Sequence, residues 1–475
     1  MCSPSASLVL VRITAALLSA ILFAGCGDDD APPADAGAGL DAGALDGARP
    51  PTDAGTLDGA ARSDAGTAPV CGTSPWETYG HDAQRSSASD ACIRGPLTMR
   101  WRYTPAPPTD RTFNFVAHAV AASDGVYLGW AASNGGYLGT TALDRVTPDG
   151  MRAWTWDSGT DTNLAHWPTL AFDYVVANDD QVAYIARADG TRAFGTSVDY
   201  WGETAFADGR LYLVNDEYVD GPKLFVGAFD ATATELWRAN EIGRCRIGTW
   251  DQSGGSIAAD AGTLFYAPQY RDADGAMPEL AQGVYAFDGA TGMVRWTQPT
   301  MPTSRISAGG GRVYLVEGTS LVARSQSDGT IAWSAPVMGA GFQPPVLVAG
   351  LAVVADAAGM RAFDATSGAQ VWSTPVAGAV SRVGTQGLSG GCGPGAANIF
   401  SGRSVATTTI AAAAGSATLV VTGSAGVTIL DVATGAEVWS GAVTGAMGGV
   451  REPVLVGNRV YVLDSAGLLA LDSAG

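Results

Sequence analysis

One phrase recurs along most of the chain and restricts its architecture more than any bulk property does. It is a strand ending Ala-x-Asp, a short polar turn, a glycine, three residues and a tryptophan. The clearest copies are AFDGATGMVRW (Ala286 to Trp296), AFDATSGAQVW (Ala362 to Trp372) and ILDVATGAEVW (Ile429 to Trp439). Weaker copies are ALDRVTPDGMRAW ending at Trp154, AFDATATELW ending at Trp237 and ARSQSDGTIAW ending at Trp333, while ARADGTRAF places Phe194 in the aromatic position. Successive aromatic positions are 40, 43, 59, 37, 39 and 67 residues apart. The shorter intervals cluster near forty, the length of one four-stranded unit of a repeat fold.

Each residue type in the phrase has a physical task. The Asp carboxylate accepts from turn amides, glycine permits positive φ in the hairpin, and alanine lets a neighbour approach closely. The tryptophan buries a large apolar area and needs an acceptor for its indole N–H. Upstream of the phrases lie strands such as RLYLVND (Arg210 to Asp216), RVYLVEG (Arg312 to Gly318) and RVYVLDS (Arg459 to Ser465). With 47 % hydrophobic and 15 % charged residues, 63 Gly and a single Lys (Lys223), the chain reads as many short strands joined by glycine turns. That composition excludes a coiled coil or a wholly disordered chain. A formal charge of -19, with no local basic patch, excludes nucleic acid as a partner.

The phrase resembles the tryptophan-docking motif of PQQ-type β-propeller repeats. The segment Trp76-Glu-Thr-Tyr-Gly80-His81-Asp82-Ala-Gln-Arg85-Ser86 is similar to the sequence that precedes such propellers. The resemblance implies an all-β ring of four-stranded antiparallel blades in which Trp101, Trp154, Phe194, Trp237, Trp296, Trp333, Trp372 and Trp439 dock each blade on the next. Near the start, Thr98-Met99-Arg100-Trp101 is the second half of a phrase without a first half, and Ala470-Leu-Asp472-Ser-Ala-Gly475 is a first half cut off at its glycine. Joined, they complete one blade and leave no open edge. Seven internal phrases and this composite give eight blades.

The remaining segments read as address and tether. Arg12 precedes an apolar run from Ile13 to Phe23, too short to span a bilayer and ending in Ala24-Gly25-Cys26. This resembles a lipobox, which implies removal of residues 1–25 and acylation of Cys26. Residues 26–70 are rich in Asp, Ala, Gly and Pro, with Asp-Ala-Gly starting at Asp35, Asp41, Asp53 and Asp64. So little apolar surface cannot offset the entropy of ordering, so this is expected to be a disordered tether spanning roughly 35–40 Å. Residues 71–96 form a lead-in segment and 97–475 the propeller. The expected location is the cell envelope, on the outer membrane, held by lipid alone.

Four cysteines remain after the lipobox. An envelope location permits disulfides, and of the three pairings Cys71 with Cys92 and Cys245 with Cys392 are favoured. The irregular length falls in the loops between second and third strands and in the connections between blades, which share one face. There lie His166 and Trp167, Tyr200, Trp201 and Glu203, Trp250 and Asp251, and Tyr270 with Arg271. Aromatics beside charges mark a candidate binding face, or alternatively caps of the central channel.

The chain has no adjacent cysteine pair of the kind the PQQ-dependent alcohol dehydrogenases carry, no Cys-x-x-Cys-His, no Gly-x-Ser-x-Gly and no phosphate-binding loop. His81, His118 and His166 lack metal-ligand spacing, and Asp272-x-Asp274-Gly275 is too short for a calcium loop. No cofactor, metal site or catalytic residue is expected. As a whole the chain is similar to the lipid-anchored propellers of the outer-membrane β-barrel assembly machinery, which implies a monomeric, non-catalytic scaffold for an envelope protein. The alternatives are a quinoprotein dehydrogenase and a glycan-binding lipoprotein. If Cys26 carries the anchor, Cys26→Ser moves the chain from the membrane to the soluble fraction, because each buried methylene of an acyl chain contributes about 0.8 kcal/mol.

Overall fold

The structure, a computed structural model, describes residues 71–133, 139–158, 168–178, 182–196, 203–217, 223–244, 254–269, 283–300, 302–338, 343–376, 411–415, 417–423, 426–447 and 450–474. They fall in one compact unit, Leu57–Gly475. Eight four-stranded antiparallel sheets follow one another around a ring, and no helix occurs among the described residues. Blades 1 to 7 span 112–157, 169–195, 204–244, 254–298, 307–336, 346–374 and 411–441. Blade 8 is composite. Its strands Arg451–Val456, Arg459–Asp464 and Gly467–Ser473 are completed by Leu97–Tyr103, which pairs antiparallel with Gly467–Ser473 from Leu97 opposite Ser473 to Tyr103 opposite Leu468. The inner strand of blade 1 packs against that of blade 8, closing the ring.

Within a blade the second and third strands are buried on both faces, as in Arg312–Glu317 and Ser320–Ser325 of blade 5, because a neighbouring blade covers each side. They therefore read as apolar runs, whereas the outer strand Ile331–Pro336 alternates. The docking aromatics sit on these outer strands. The indole N–H of Trp101 donates to Pro148 O, Trp154 to Arg187 O, Trp237 to Gly289 O, Trp296 to Gln326 O, Trp333 to Ala365 O and Trp372 to Val432 O, each time in the turn of the following blade. Several of these carbonyls take a second bond. Tyr212 and Tyr314 donate beside Trp237 and Trp333, and Arg459 donates beside Trp101.

Glycine in the turn is what admits the ring. At Gly150, Gly190, Gly292, Gly329, Gly368 and Gly435, φ lies between +70° and +84°, and an added Cβ would sit 2.4–2.7 Å from the docked tryptophan or its neighbour. Blade 7 has no ordinary turn to dock on, because the third and fourth strands of blade 8 come from distant parts of the chain. Gly95 takes the place, with its added Cβ 2.2 Å from Trp439. Gly475, the glycine of the broken phrase, lies outside the described residues.

One seam departs from the rule. In blade 3 the glycine position is Ala233, at φ +60°, and blade 2 presents Phe194 where the others present tryptophan. A methyl group in the turn leaves no room for an indole, so the smaller ring goes with the larger turn residue. Phe194 is 36 % exposed, against 7–8 % for Trp296, Trp333 and Trp372. The missing indole N–H is replaced by Tyr184, whose hydroxyl donates to Asp230 O at 3.1 Å.

The turn aspartates behave as the phrase implies. Asp288 Oδ1 accepts from the amides of Ala290 and Thr291 and from the Thr291 hydroxyl, and Asp364 repeats this with Thr366 and Ser367. The Arg295 guanidinium and the Thr291 hydroxyl hold Asp288 down to about 2, and the Ser367 hydroxyl lowers Asp364. Lowered carboxyls stabilise the fold above the ordinary carboxylate range, and the contribution fades as pH falls toward 2, weakly because these turns are exposed. The first copy corrects the sequence reading. Asp144 of ALDRV is not the turn aspartate, because the strand runs on through Gly139–Val146. Thr147 takes the turn position, its amide donating to Met151 O, and Asp144 is buried inside the sheet.

The Ala233–Phe194 pairing makes a prediction. Phe194→Trp alone costs about 1–3 kcal/mol by overpacking, and adding Ala233→Gly recovers the loss, measurable as Tm shifts in a double-mutant cycle.

Candidate functional site

The axis of the ring is where the chain gathers its buried polar groups, and the lead-in segment brings them there. Trp76 exchanges two backbone hydrogen bonds with Ala121 of blade 1, and Leu170 N–H of blade 2 donates to Glu77 O at 2.6 Å. Ala259, Ala308 and Leu347, from blades 4, 5 and 6, donate to the carbonyls of Ala83, Gln84 and Ser86 at 2.7–2.8 Å. The Thr78 hydroxyl reaches Thr204 O of blade 3, the Thr418 hydroxyl of blade 7 reaches Ile93 O, and Cys92 N–H reaches Gly457 O of blade 8. One segment of about twenty residues thus touches all eight blades. Its path is tight, with Gly80, His81, Arg85 and Ser87 all at positive φ. Three of those are not glycine, a concentration of unfavourable conformations that only a strongly determined surrounding sustains. A disulfide between Cys71 and Cys92, Cα atoms 5.1 Å apart, ties the two ends.

Arg85 is the centre of this arrangement and is 1 % exposed. Its guanidinium donates to Ile257 O at 2.9 Å, Thr78 Oγ1 at 2.8 Å, Thr204 O at 2.6 Å and Tyr79 O. It also lies 3.5 Å from Glu203 Oε2, and Arg305 Nε lies 2.7 Å from Glu203 Oε1. The Arg305 guanidinium stacks 3.8 Å above the Tyr79 ring, and the Tyr79 hydroxyl donates to Gln343. Thr78, Thr169 and Thr204 form a chain of buried hydroxyls beside it. Two guanidiniums around one carboxylate, each hydrogen-bonded to carbonyls or stacked on a ring, is the form in which buried charge is tolerable.

This overturns one sequence expectation. Glu203 does not belong to an exposed binding face. It is 5 % exposed and directed at the axis, where the inner strand of blade 3 begins. His166, Trp167, Tyr200, Trp201, Trp250, Asp251, Tyr270 and Arg271 lie outside the described residues, as do Cys26, Cys245 and Cys392. His81 packs edge-on against Trp76 and His118 against Tyr79, both around the lead-in segment. Sequence reasoning missed Arg85 and Arg305. Arg85 stood inside a recognisable segment, but nothing in its spacing marked the residue as the hub.

Comparison with known proteins places this ring. A family model described as outer membrane protein assembly factor BamB matches twice, over residues 280–391 and 360–474. A quinohemoprotein alcohol dehydrogenase from Comamonas testosteroni superposes with a TM-score of 0.55 at 14 % identity, over 84 % of this chain and 80 % of that one. The ring is a PQQ-like β-propeller. BamB from Moraxella catarrhalis aligns at 13 % identity over 80 % of this chain and 100 % of that chain, with a TM-score of 0.49. The serine/threonine-protein kinase AfsK of Streptomyces coelicolor is 26 % identical over 263 residues, 51 % of this chain and 29 % of the kinase. The propeller chain therefore spans less than a third of that relative's length.

The name of the fold raises the question of a quinone with calcium, and the described axis does not fit them. Calcium takes six to eight oxygen ligands, rich in carboxylate. Here the buried axial carboxylate is held by two arginines, and among the described residues no group of three His, Cys, Asp or Glu side chains is placed to hold a metal ion. The lead-in segment also fills the centre with its own backbone.

Arg85→Ala removes donors to the buried carbonyls of Ile257 and Thr204, to the partly buried carbonyl of Tyr79 and to one side of Glu203, so it is expected to destabilise the propeller by about 3–5 kcal/mol. Arg85→Lys, with three donors instead of five, is expected to recover only part of this. Thermal unfolding, together with proteolysis of the lead-in segment, checks both.

Proposed function

We propose that this propeller is a non-catalytic scaffold of the cell envelope, lipid-anchored through Cys26, that binds a protein partner by the loops and connections carrying Trp201 and Trp250. The observation that carries this reading is the use of the axis. Its buried polar groups are engaged by the chain's own lead-in segment, with Arg85 and Arg305 bonded to Glu203 and to backbone carbonyls or stacked on Tyr79. A centre built in this way serves cohesion, and recognition then falls to the rim. The match of residues 280–474 to a family described as an outer membrane protein assembly factor supports the same reading and the envelope location.

The test is affinity capture with the full acylated chain from envelope extract. Specific retention of an envelope protein is expected, and Trp201→Ala with Trp250→Ala should abolish it while leaving Tm unchanged. Retention that survives the double substitution counts against this face. Dye-linked alcohol oxidation appearing on addition of PQQ and calcium would overturn the non-catalytic reading altogether.

A further inference from the structure

The stretch whose composition reads as a tether, residues 26–70, joins the ring at Cys71, where the lead-in segment begins. Cys71 is exposed, and its Sγ is bonded to that of Cys92, 21 residues on. The residues just after Cys71 hold to the far end of the same segment. Gly72 N–H donates to Asp90 O at 3.0 Å, and the Ser74 amide and hydroxyl donate to the Asp90 carboxylate at 3.1 and 2.6 Å. Contacts with the blades then come singly and in chain order: Trp76 with blade 1, Glu77 with blade 2, Thr78 with blade 3, and Ala83, Gln84 and Ser86 with blades 4, 5 and 6.

A pull on the tether would meet these contacts one after another, so that each bears the whole load in its turn and the segment peels. Peeling would also be hard to reverse. His81, Arg85 and Ser87 are held at positive φ only by what surrounds them, and once drawn out they would relax to ordinary conformations. The disulfide changes the path of the load. It fixes the Cα atoms of Cys71 and Cys92 5.1 Å apart, so residues 72–91 cannot be drawn taut while it is intact.

The load passes instead to Cys92 and the residues behind it, which are held by two blades at once. Cys92 N–H donates to Gly457 O of blade 8 at 2.9 Å, and the Thr418 hydroxyl of blade 7 donates to Ile93 O at 2.8 Å. The Ser473 hydroxyl oxygen accepts from Arg94 N–H and donates to Arg94 O, both at 2.7 Å. Ile93 is buried, and from Leu97 the chain is a full strand of blade 8. We propose that the Cys71–Cys92 bond is a strain relief for the tether, carrying its load past the lead-in segment and into the joined blades 7 and 8. The inference rests on the proposed function, because a chain anchored at its N-terminal side and bound to a partner elsewhere is loaded at this point of entry.

A bond kept for stability alone raises Tm, whereas a load-bearing one also decides what yields first. Force spectroscopy on residues 26–475 separates the two, with one handle at the N-terminal residue and the other on an azide-bearing side chain placed at Met293, an exposed residue of blade 4. The variant Cys71→Ser with Cys92→Ser is expected to yield first at about half the force of the intact chain or less. Its extension should begin with roughly 70 Å as residues 71–92 are drawn out, from the span of an extended chain. Peptide mapping without reductant verifies the bond, and circular dichroism verifies that the variant folds. Equal first rupture forces, absence of the Cys71–Cys92 peptide, or loss of the ring in the unloaded variant would each overturn the proposal. Every sample carries Cys26→Ser, so the outcome does not depend on acylation, and a failed anchor shows in membrane fractionation instead.

Discussion

The contact between an indole and a glycine of the next blade is the interaction on which this ring depends. A tryptophan can lie flat on a turn only where the turn residue has no side chain, and it needs a carbonyl within reach of its N–H. Six turns meet both demands with a glycine at positive φ and a carbonyl that accepts from the indole. The strength lies in repetition. Each contact is modest alone, but a closed ring cannot lose one without loosening its neighbours. The Ala233 and Phe194 seam shows that the two halves of the contact change together, which is why a single substitution there is informative.

Much of this was legible in the sequence, because the docking contact is local in each repeat. Gly292 and Trp296 are four residues apart, so their spacing declares the turn and strand that hold them. The broken phrase at Trp101 and Asp472 declared the composite blade for the same reason. The reading slipped at Asp144, where an Ala-x-Asp triplet happened to lie three residues upstream of the real turn at Thr147. A motif of three common residues cannot fix register by itself. The hydrogen bond that does fix it, Thr147 N–H to Met151 O, has no signature in residue type.

The axis was not legible, and the reason is also physical. Arg85 meets Thr204 and Ile257 across 119 and 172 residues, through bonds to backbone carbonyls that any residue could supply. Such contacts leave no pattern in the chain. Glu203 was misjudged for a related reason. A charged residue beside Tyr200 and Trp201 looks like part of an exposed loop, and only the arrival of Arg85 and Arg305 makes its burial affordable. The same holds for Asp144, whose partner Tyr103 belongs to a different blade.

The lead-in segment also bears on the order in which the molecule is assembled. It is made before any blade, yet beside its internal turns it bonds to parts of the ring made later, as far along as Gly457 and Ser473. It cannot take its place until the whole circle exists, so the first part of the domain to be synthesised is among the last to settle. Bonds between residues so distant in sequence close slowly. Until then the sheets wait with their inner edges uncovered, and the segment Trp76–Arg94 acts as a keystone set after the arch is standing. Maturation of this protein is thereby bound to completion of its C-terminal strand, and a chain stopped a few residues short of Ser473 would forfeit both the eighth blade and its centre.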